Sequence, residues 1–146
     1  VFETASTRSR MMRSKAGILV SMNDQEHRIP LGSMGDGMSR LLALSISLVR
    51  ARGGYLLIDE IDTGLHYSVM MDMWRLVIDA AKRHGIRVFA TTHSYDCIRG
   101  LSALCRTQAS LQPAVAIHKI EQNLNSGISF SGSDLCDISE QEIEIR

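Results

Sequence analysis

Short apolar runs alternate along the chain with longer stretches in which apolar residues recur every three or four positions. The runs "YLLID" (55–59) and "IRVFATT" (86–92) show no polar alternation, which is typical of strands buried on both faces of a parallel sheet. Helical spacing predicts three helices, at about Gly37 to Ala51, at 68 to 84 and at about Tyr95 to Cys105. The order strand, helix, strand, helix predicts an α/β fold with right-handed crossovers.

Two further short strands are predicted before the first helix. Gly17 to Met22 is apolar, "NDQE" supplies turn residues, and "HRIPL" resumes an extended pattern up to Pro30. A basic cluster precedes these strands and is opposed only by Glu3. It fits either a solvated N-terminal arm or a local patch for an anionic partner, and its members are Arg8, Arg10, Arg13 and Lys15.

The last third of the chain has a different pattern. The segments "AVAIHKIEQ" and "GISFSG", separated by "NLNS", predict a C-terminal β-hairpin. The stretch "SDLCDISEQEIEIR" fits either a short helix or a partly extended segment. Because we find no internal repeat, residues 1–146 are predicted to form a single domain.

Composition narrows the classes of protein that fit. The chain has 146 residues and a formal net charge of zero, which argues against a strongly basic, self-sufficient nucleic-acid binder. No apolar run reaches the roughly 18 residues of a membrane span, and the N-terminus lacks the apolar segment of a signal peptide. The cysteines Cys97, Cys105 and Cys136 form no CxxC pair. A cytoplasmic protein with reduced thiols and no membrane partner is therefore predicted.

Ionisable residues follow both predicted parallel strands. Asp59 and Glu60 come after "YLLI", and His93 comes after "VFATT". Ligands bind outside the carboxyl ends of parallel strands, so the three side chains meet at one edge if the strands are neighbours. Asp59 suits Mg²⁺, Glu60 suits the orientation or deprotonation of a water, and His93 suits donation to a phosphate. The same residues also fit a strand end with a helix cap, a structural histidine or, with His66, the metal site of a hydrolase.

A glycine-rich stretch, "LGSMGDGMSR" (31–40), opens the first predicted helix. Free backbone N–H groups at the positive end of a helix form an anion site, to which Ser33 would add a hydroxyl and Gly35 a close backbone approach. The stretch also fits a simple turn. The Walker A pattern GxxxxGK[ST] occurs nowhere in the 146 residues.

Three motifs occur in a fixed order: "SMGDGMSRLLAL", "LLIDEIDTGLH" and "TTHS". Together they resemble the C-terminal half of ABC-type ATPase heads, and most of all the OLD (overcoming lysogenization defect) and related AAA-type ATP-binding proteins, over about residues 18 to 105. The resemblance implies the C-terminal lobe of a parallel-sheet P-loop NTPase, followed here by the hairpin. It also implies ATP and Mg²⁺, a head-to-head dimer, and a process in DNA maintenance or anti-phage defence.

The resemblance assigns two of these motifs to the dimer interface. Ser33, Gly35 and Asp36 would belong to the signature that touches ATP bound to the opposite subunit. The stretch from Asp62 to His66 would be the D-loop. A homodimer or a complementing ATPase lobe is therefore the expected partner, with a nucleic acid or an effector protein as a further candidate.

The resemblance places the chemistry on the two strand ends. Asp59 would serve Mg²⁺, Glu60 would be the catalytic carboxylate, and His93 would be the switch histidine that senses the γ-phosphate. Because the Walker A lobe has no counterpart in the chain, we expect negligible ATP hydrolysis by the chain alone. Either the chain is a fragment or a separate lobe completes it. Its closing "EIEIR" is similar to the end of such ATPase domains, so no TOPRIM nuclease domain is expected to follow.

Two alternatives to the ATPase interpretation use the same residues differently. The first is a non-enzymatic interaction or regulatory module that keeps the ATPase fold. The second is a metal-dependent hydrolase in which Asp59, Glu60 and His93 act directly.

Overall fold

The computed structural model of the chain describes residues 12–14, 17–21, 28–120 and 127–138. Contacts divide the chain into two units, Val1–Leu44 and Ser45–Arg146. The single domain expected over 1–146 stays a prediction.

The first unit contains a small antiparallel sheet in the order β1-β2-β3. Val20 of the central strand lies opposite Ile29, so the two strands predicted here are confirmed as an antiparallel pair. The strand β1 was not predicted, because its sequence overlaps the basic cluster at Arg13. The other members of that cluster and the predicted "NDQE" turn lie outside the described residues. The strands are β1 (Met12–Ser14), β2 (Gly17–Ser21) and β3 (Arg28–Pro30).

A glycine separates β3 and its following 3₁₀ turn from the first long helix. The turn covers Leu31–Met34, and the helix α1 covers Asp36–Arg50. Gly35 joins them with φ +87°, in a region that side chains with a Cβ rarely adopt. The predicted helix boundaries differ from those of α1 by one residue at each end.

The second unit contains the predicted strand, helix, strand, helix order. Gly85 ends the first helix of this unit in a left-handed conformation, and the Ser94 side chain caps the second by accepting a hydrogen bond from the Cys97 N–H. The two strands pair in parallel, with Tyr55 opposite Arg87. The elements are β4 (Tyr55–Ile58), α2 (Met70–His84), β5 (Arg87–Ala90) and α3 (Tyr95–Thr107).

The prediction that both strands are buried on both faces is wrong. Tyr55, Leu57 and Phe89 are 61%, 77% and 59% exposed, whereas the alternate positions Leu56 and Val88 are half-buried. In the described part of the chain only these two strands pair in parallel, and the described residues of the second unit leave one face of the pair largely exposed. An apolar run indicates a strand suited to burial, but it does not supply the layer that buries it.

The core of the second unit lies around α3. It contains the buried residues Ile78, Leu101, Leu104, Cys105, Leu111 and Leu135. The Trp74 indole of α2 donates a hydrogen bond to the Cys97 carbonyl of α3 at 2.9 Å, which joins the two helices.

The predicted C-terminal hairpin is confirmed by the antiparallel pair β6 (Ala116–Lys119) and β7 (Ile128–Ser131). In the described part of the final segment a short helix forms, α4 (Asp134–Ile138). Residues 139–146, which include the closing "EIEIR", lie outside the described residues. Within the described ranges, every helix is too short or too polar to span a bilayer.

Candidate functional site

The two parallel strands place their carboxyl ends side by side. The register that puts Leu57 opposite Phe89 continues beyond the strands to Asp59 and Thr91. There the Thr91 hydroxyl donates a hydrogen bond to Asp59 Oδ1 at 2.5 Å. Asp59 is exposed, and no described residue donates a hydrogen bond to its Oδ2 atom. The neighbouring strands on which the predicted site depends are therefore confirmed, and Asp59 keeps one oxygen open to a ligand.

Glu60 departs from strand geometry immediately after Asp59. Its φ of +47° makes it the one residue other than glycine with a left-handed φ in the described part of the chain. Such a conformation costs free energy in a residue with a Cβ, so neighbouring contacts must hold it. The Glu60 N–H donates to the Thr91 hydroxyl at 2.9 Å, and the Thr63 hydroxyl donates to Glu60 Oε2 at 3.0 Å.

The two ends of the predicted D-loop, Asp62 and His66, make different contacts. Asp62 Oδ1 accepts a hydrogen bond from the Thr92 hydroxyl at 2.5 Å, which ties the turn after β4 to the end of β5. His66 caps the 3₁₀ turn Tyr67–Val69 by accepting from the Ser68 N–H, and its ring lies 4.2 Å from that of Tyr67. These contacts give His66 a local structural role, and its predicted place at a dimer interface stays a prediction.

His93 shares a cavity of about 300 Å³ with Glu60, Asp62, Thr63 and Ser94. It is exposed, and no described residue makes a hydrogen bond with its ring, so both ring nitrogens are open to a ligand. The structure thus brings together three of the predicted residues, Glu60, Asp62 and His93, around one space. Asp59 directly precedes Glu60 in the sequence and lies at the carboxyl end of β4.

The predicted signature residues belong to the first unit. The Ser33 hydroxyl donates to the Pro30 carbonyl at 2.7 Å, and Gly35 has the left-handed φ already described. Asp36 stands in the first turn of α1, where its negative charge complements the positive end of the helix dipole. Their predicted contact with nucleotide stays a prediction.

The described residues give no support to the alternative of a metal centre built directly from Asp59, Glu60 and His93, with or without His66, and that alternative stays a prediction. Among these residues no group of three or more His, Cys, Asp or Glu side chains is close enough together to bind one ion. A single carboxylate is still compatible with Mg²⁺, which commonly keeps several waters and takes one or two carboxylates.

Sequence reasoning missed the two threonines that brace the acids. Thr91 contacts Asp59 and Glu60, and Thr92 contacts Asp62. The available signal was the pair of hydroxyl residues at the end of a predicted parallel strand, directly before His93. Without the register, however, neither hydroxyl could be matched to a particular carboxylate.

Comparison with known proteins adds two findings. Residues 20–97 match the family described as "AAA domain, putative AbiEii toxin, Type IV TA system". The chain is also similar to an "ATP/GTP phosphatase" of Helicobacter pylori, with 29% identity over 90 residues, covering 60% of this chain and 24% of the relative. The chain therefore spans about a quarter of the length of that relative. No solved structure matches the chain.

Proposed function

The chain belongs to the AAA domain family of putative AbiEii toxins, and on that premise we propose that it is the C-terminal lobe of an ABC-type ATPase head. The family match covers 78 of the 146 residues, from 20 to 97. The name of the Helicobacter pylori relative, ATP/GTP phosphatase, supports nucleotide hydrolysis as the reaction class. The three motifs shared with OLD-like ATPases support ATP as the substrate and a head-to-head dimer as the working assembly.

The observation that carries the proposal is the grouping of acids and a histidine at the carboxyl edge of β4 and β5. Glu60, Asp62 and His93 line one cavity, and Glu60 holds a left-handed backbone. Strained backbone of this kind is concentrated at functional sites. In the proposed roles Glu60 accepts a proton from the attacking water, and His93 donates a hydrogen bond to the γ-phosphate.

The edge of the sheet offers a magnesium ion one carboxylate ligand, Asp59. Asp59 Oδ1 is held by Thr91, and Oδ2 is open to the ion or to one of its waters. When bound, Mg²⁺ would neutralise phosphate charge that develops during phosphoryl transfer. Asp59 would therefore orient the ion, with the remaining ligands coming from water and phosphate.

The exposed face of the parallel pair supports a site that a second lobe completes. Parallel strands are normally covered on both faces, yet Leu57 and Phe89 are left in water two residues before Asp59 and Thr91. A helix packed antiparallel to the strands would bring its positive end to Asp59 and its negative end to Arg87. We propose that this face receives the lobe that holds the phosphates.

A titration and a turnover assay test the function together. Mg²⁺-ATP titrated calorimetrically into the chain alone should give no binding in the micromolar range. The chain fused to a Walker A lobe should hydrolyse ATP, and Glu60→Gln should lower kcat by roughly 10²–10⁴ while ATP binding is retained. Asp134→Asn, which removes an exposed acid at the start of α4, is the matched control and should leave kcat unchanged.

Two results would contradict the proposed function. The first is tight ATP binding by the chain alone. The second is equal turnover by the fusion and its Glu60→Gln variant.

A non-enzymatic interaction module with the same fold is the second candidate. The exposed Leu57 and the lack of a Walker A pattern in the 146 residues favour it. The same assay separates the candidates, since a pure interaction module would bind its partner equally well with Glu60 or Gln at position 60. A role in DNA maintenance or anti-phage defence, through a nucleic acid or an effector protein, is proposed on the motif resemblance alone.

A further inference from the structure

We infer that Thr91 is a positioning residue whose single hydroxyl fixes the carboxylate of Asp59 and the backbone of Glu60 in the proposed site. The inference rests on the proposed function, because it assigns the source of the geometry that Asp59 and Glu60 need for phosphoryl transfer.

Thr91 makes four hydrogen bonds to the segment that carries the acids. Its backbone N–H donates to the Ile58 carbonyl at 2.9 Å, and its carbonyl accepts from the Ile61 N–H at 3.0 Å. Its hydroxyl accepts from the Glu60 N–H and donates to Asp59 Oδ1. The backbone bonds fix where the segment lies, and the hydroxyl fixes the Asp59 carboxylate and the backbone from which the Glu60 side chain extends.

The direction of the hydroxyl proton follows from these contacts. A threonine hydroxyl has one proton, and an N–H group can only donate, so the Glu60 N–H must occupy a lone pair of the oxygen. The proton is then directed to Asp59 Oδ1, which has to accept it as a carboxylate oxygen. One hydroxyl therefore holds Oδ1 in place, leaves Oδ2 for the ion, and satisfies the N–H of a strained residue.

Thr92 provides a comparison within the same motif. Its hydroxyl also braces a carboxylate, but that carboxylate is Asp62, and its second contact is an accepted bond from the Ser94 N–H. Loss of the Thr92 hydroxyl would disturb the turn after Glu60 without touching Asp59. The two threonines thus differ in which acid they hold, although they have the same side chain and adjacent positions.

The test compares Thr91→Val, Thr91→Ser and Thr92→Val in the chain fused to a Walker A lobe. Valine keeps the shape and the backbone hydrogen bonds but removes the hydroxyl, whereas serine restores the hydroxyl. We expect Thr91→Val to lower kcat by about 10- to 100-fold and to raise the Mg²⁺ concentration needed for half-maximal turnover by a similar factor. The KM for ATP should change by less than about threefold, and Thr91→Ser should recover most of kcat.

A second measurement tests the geometry without the reaction. Hydrogen exchange of the Glu60 amide in the chain alone should be faster in Thr91→Val than in wild type, and unchanged in Thr91→Ser and Thr92→Val. If Thr91→Val folds poorly, Thr91→Ala replaces it in the same measurement, because alanine also lacks the hydroxyl and adds no bulk at this exposed position.

The outcomes separate this inference from the proposed function. A fusion in which Glu60→Gln lowers kcat but Thr91→Val does not would overturn the role of Thr91 alone. Equal losses of kcat in Thr91→Val and Thr91→Ser would also overturn it, because the hydroxyl would then not be the cause. A wild-type fusion that does not hydrolyse ATP would overturn the proposed function and, with it, this inference.

Discussion

Leu57 lies directly opposite Phe89 across the two parallel strands, and both side chains are mostly in contact with water. The pair precedes Asp59 and Thr91 by two residues on each strand. An apolar surface that leads to the proposed site is therefore available to another lobe or protein, whereas the alternate residues Leu56 and Val88 are half-buried.

Replacement of Leu57 by Ser should separate stability from assembly. Because the side chain is 77% exposed, we expect the free energy of unfolding of the chain to change by less than about 0.5 kcal/mol in urea denaturation. Binding to a Walker A lobe supplied as a separate chain should weaken by at least tenfold. The control is Leu104→Ala in the core, which should lose about 2–5 kcal/mol of stability. Unchanged binding by Leu57→Ser would exclude this face as the docking surface.

The left-handed backbone of Glu60 predicts that glycine is better tolerated there than alanine. Both substitutions remove the carboxylate, but only glycine relieves the cost of a positive φ, which is about 1 kcal/mol. Glu60→Gly should therefore be more stable than Glu60→Ala by about that amount in thermal or urea unfolding, with both inactive in the fusion. Equal stabilities of the two variants would mean that position 60 is not held in this conformation.

Gly100 of α3 is predicted to set how closely α3 approaches α2. A Cβ at this position would lie 2.7 Å from the Met70 Cβ and 3.1 Å from the Met71 backbone nitrogen. Gly100→Ala should therefore lower the free energy of unfolding by about 1–3 kcal/mol, in spite of the better helix propensity of alanine. Gly32→Ala is the matched control, since an added Cβ there meets nothing within 4 Å. A stabilised Gly100→Ala would contradict the close crossing.

Burial raises the pKa of the Cys97 thiol to about 11, and the nearby negative charge of Asp62 adds to the increase. The folded state keeps this thiol protonated at a pH at which the same thiol in the unfolded chain is already ionised. Its contribution to stability is therefore complete below pH 9.0 and is lost as the pH rises towards 11. Denaturation curves between pH 8 and 11 should show a fall that is smaller in Cys97→Ala.

The same burial predicts the order in which the cysteines react. In the folded chain at pH 8, iodoacetamide should modify the half-buried Cys136 first, because Cys97 and Cys105 are buried and burial also raises the pKa of the Cys105 thiol. Mass spectrometry of peptides after timed labelling would check this order. Rapid labelling of Cys97 in the folded chain would contradict the burial of its side chain.

The order of the elements could be predicted from the sequence because it depends on local patterns. The periodicities of α1, α2 and α3, the stop at Gly85 and the acids after "YLLI" all act over a few residues. The neighbouring position of the two strands entered only as a condition of the predicted site, although a strand, a helix and a second strand in close succession usually form one parallel unit. On that condition, Asp59, Glu60 and His93 were identified as an edge before any register was known.

Contacts between distant residues were decided by the tertiary structure. The Thr91 hydroxyl lies 31 and 32 positions from Glu60 and Asp59, and only the parallel register matches it to them. The left-handed backbone of Glu60 depends on those same hydrogen bonds, so no local propensity indicates it. The exposure of Leu57 and Phe89 depends on which layers pack against the strands. The sequence by itself thus determined which residues end the strands, through local periodicity, and the tertiary structure determined how those residues are held, through hydrogen bonds across the register.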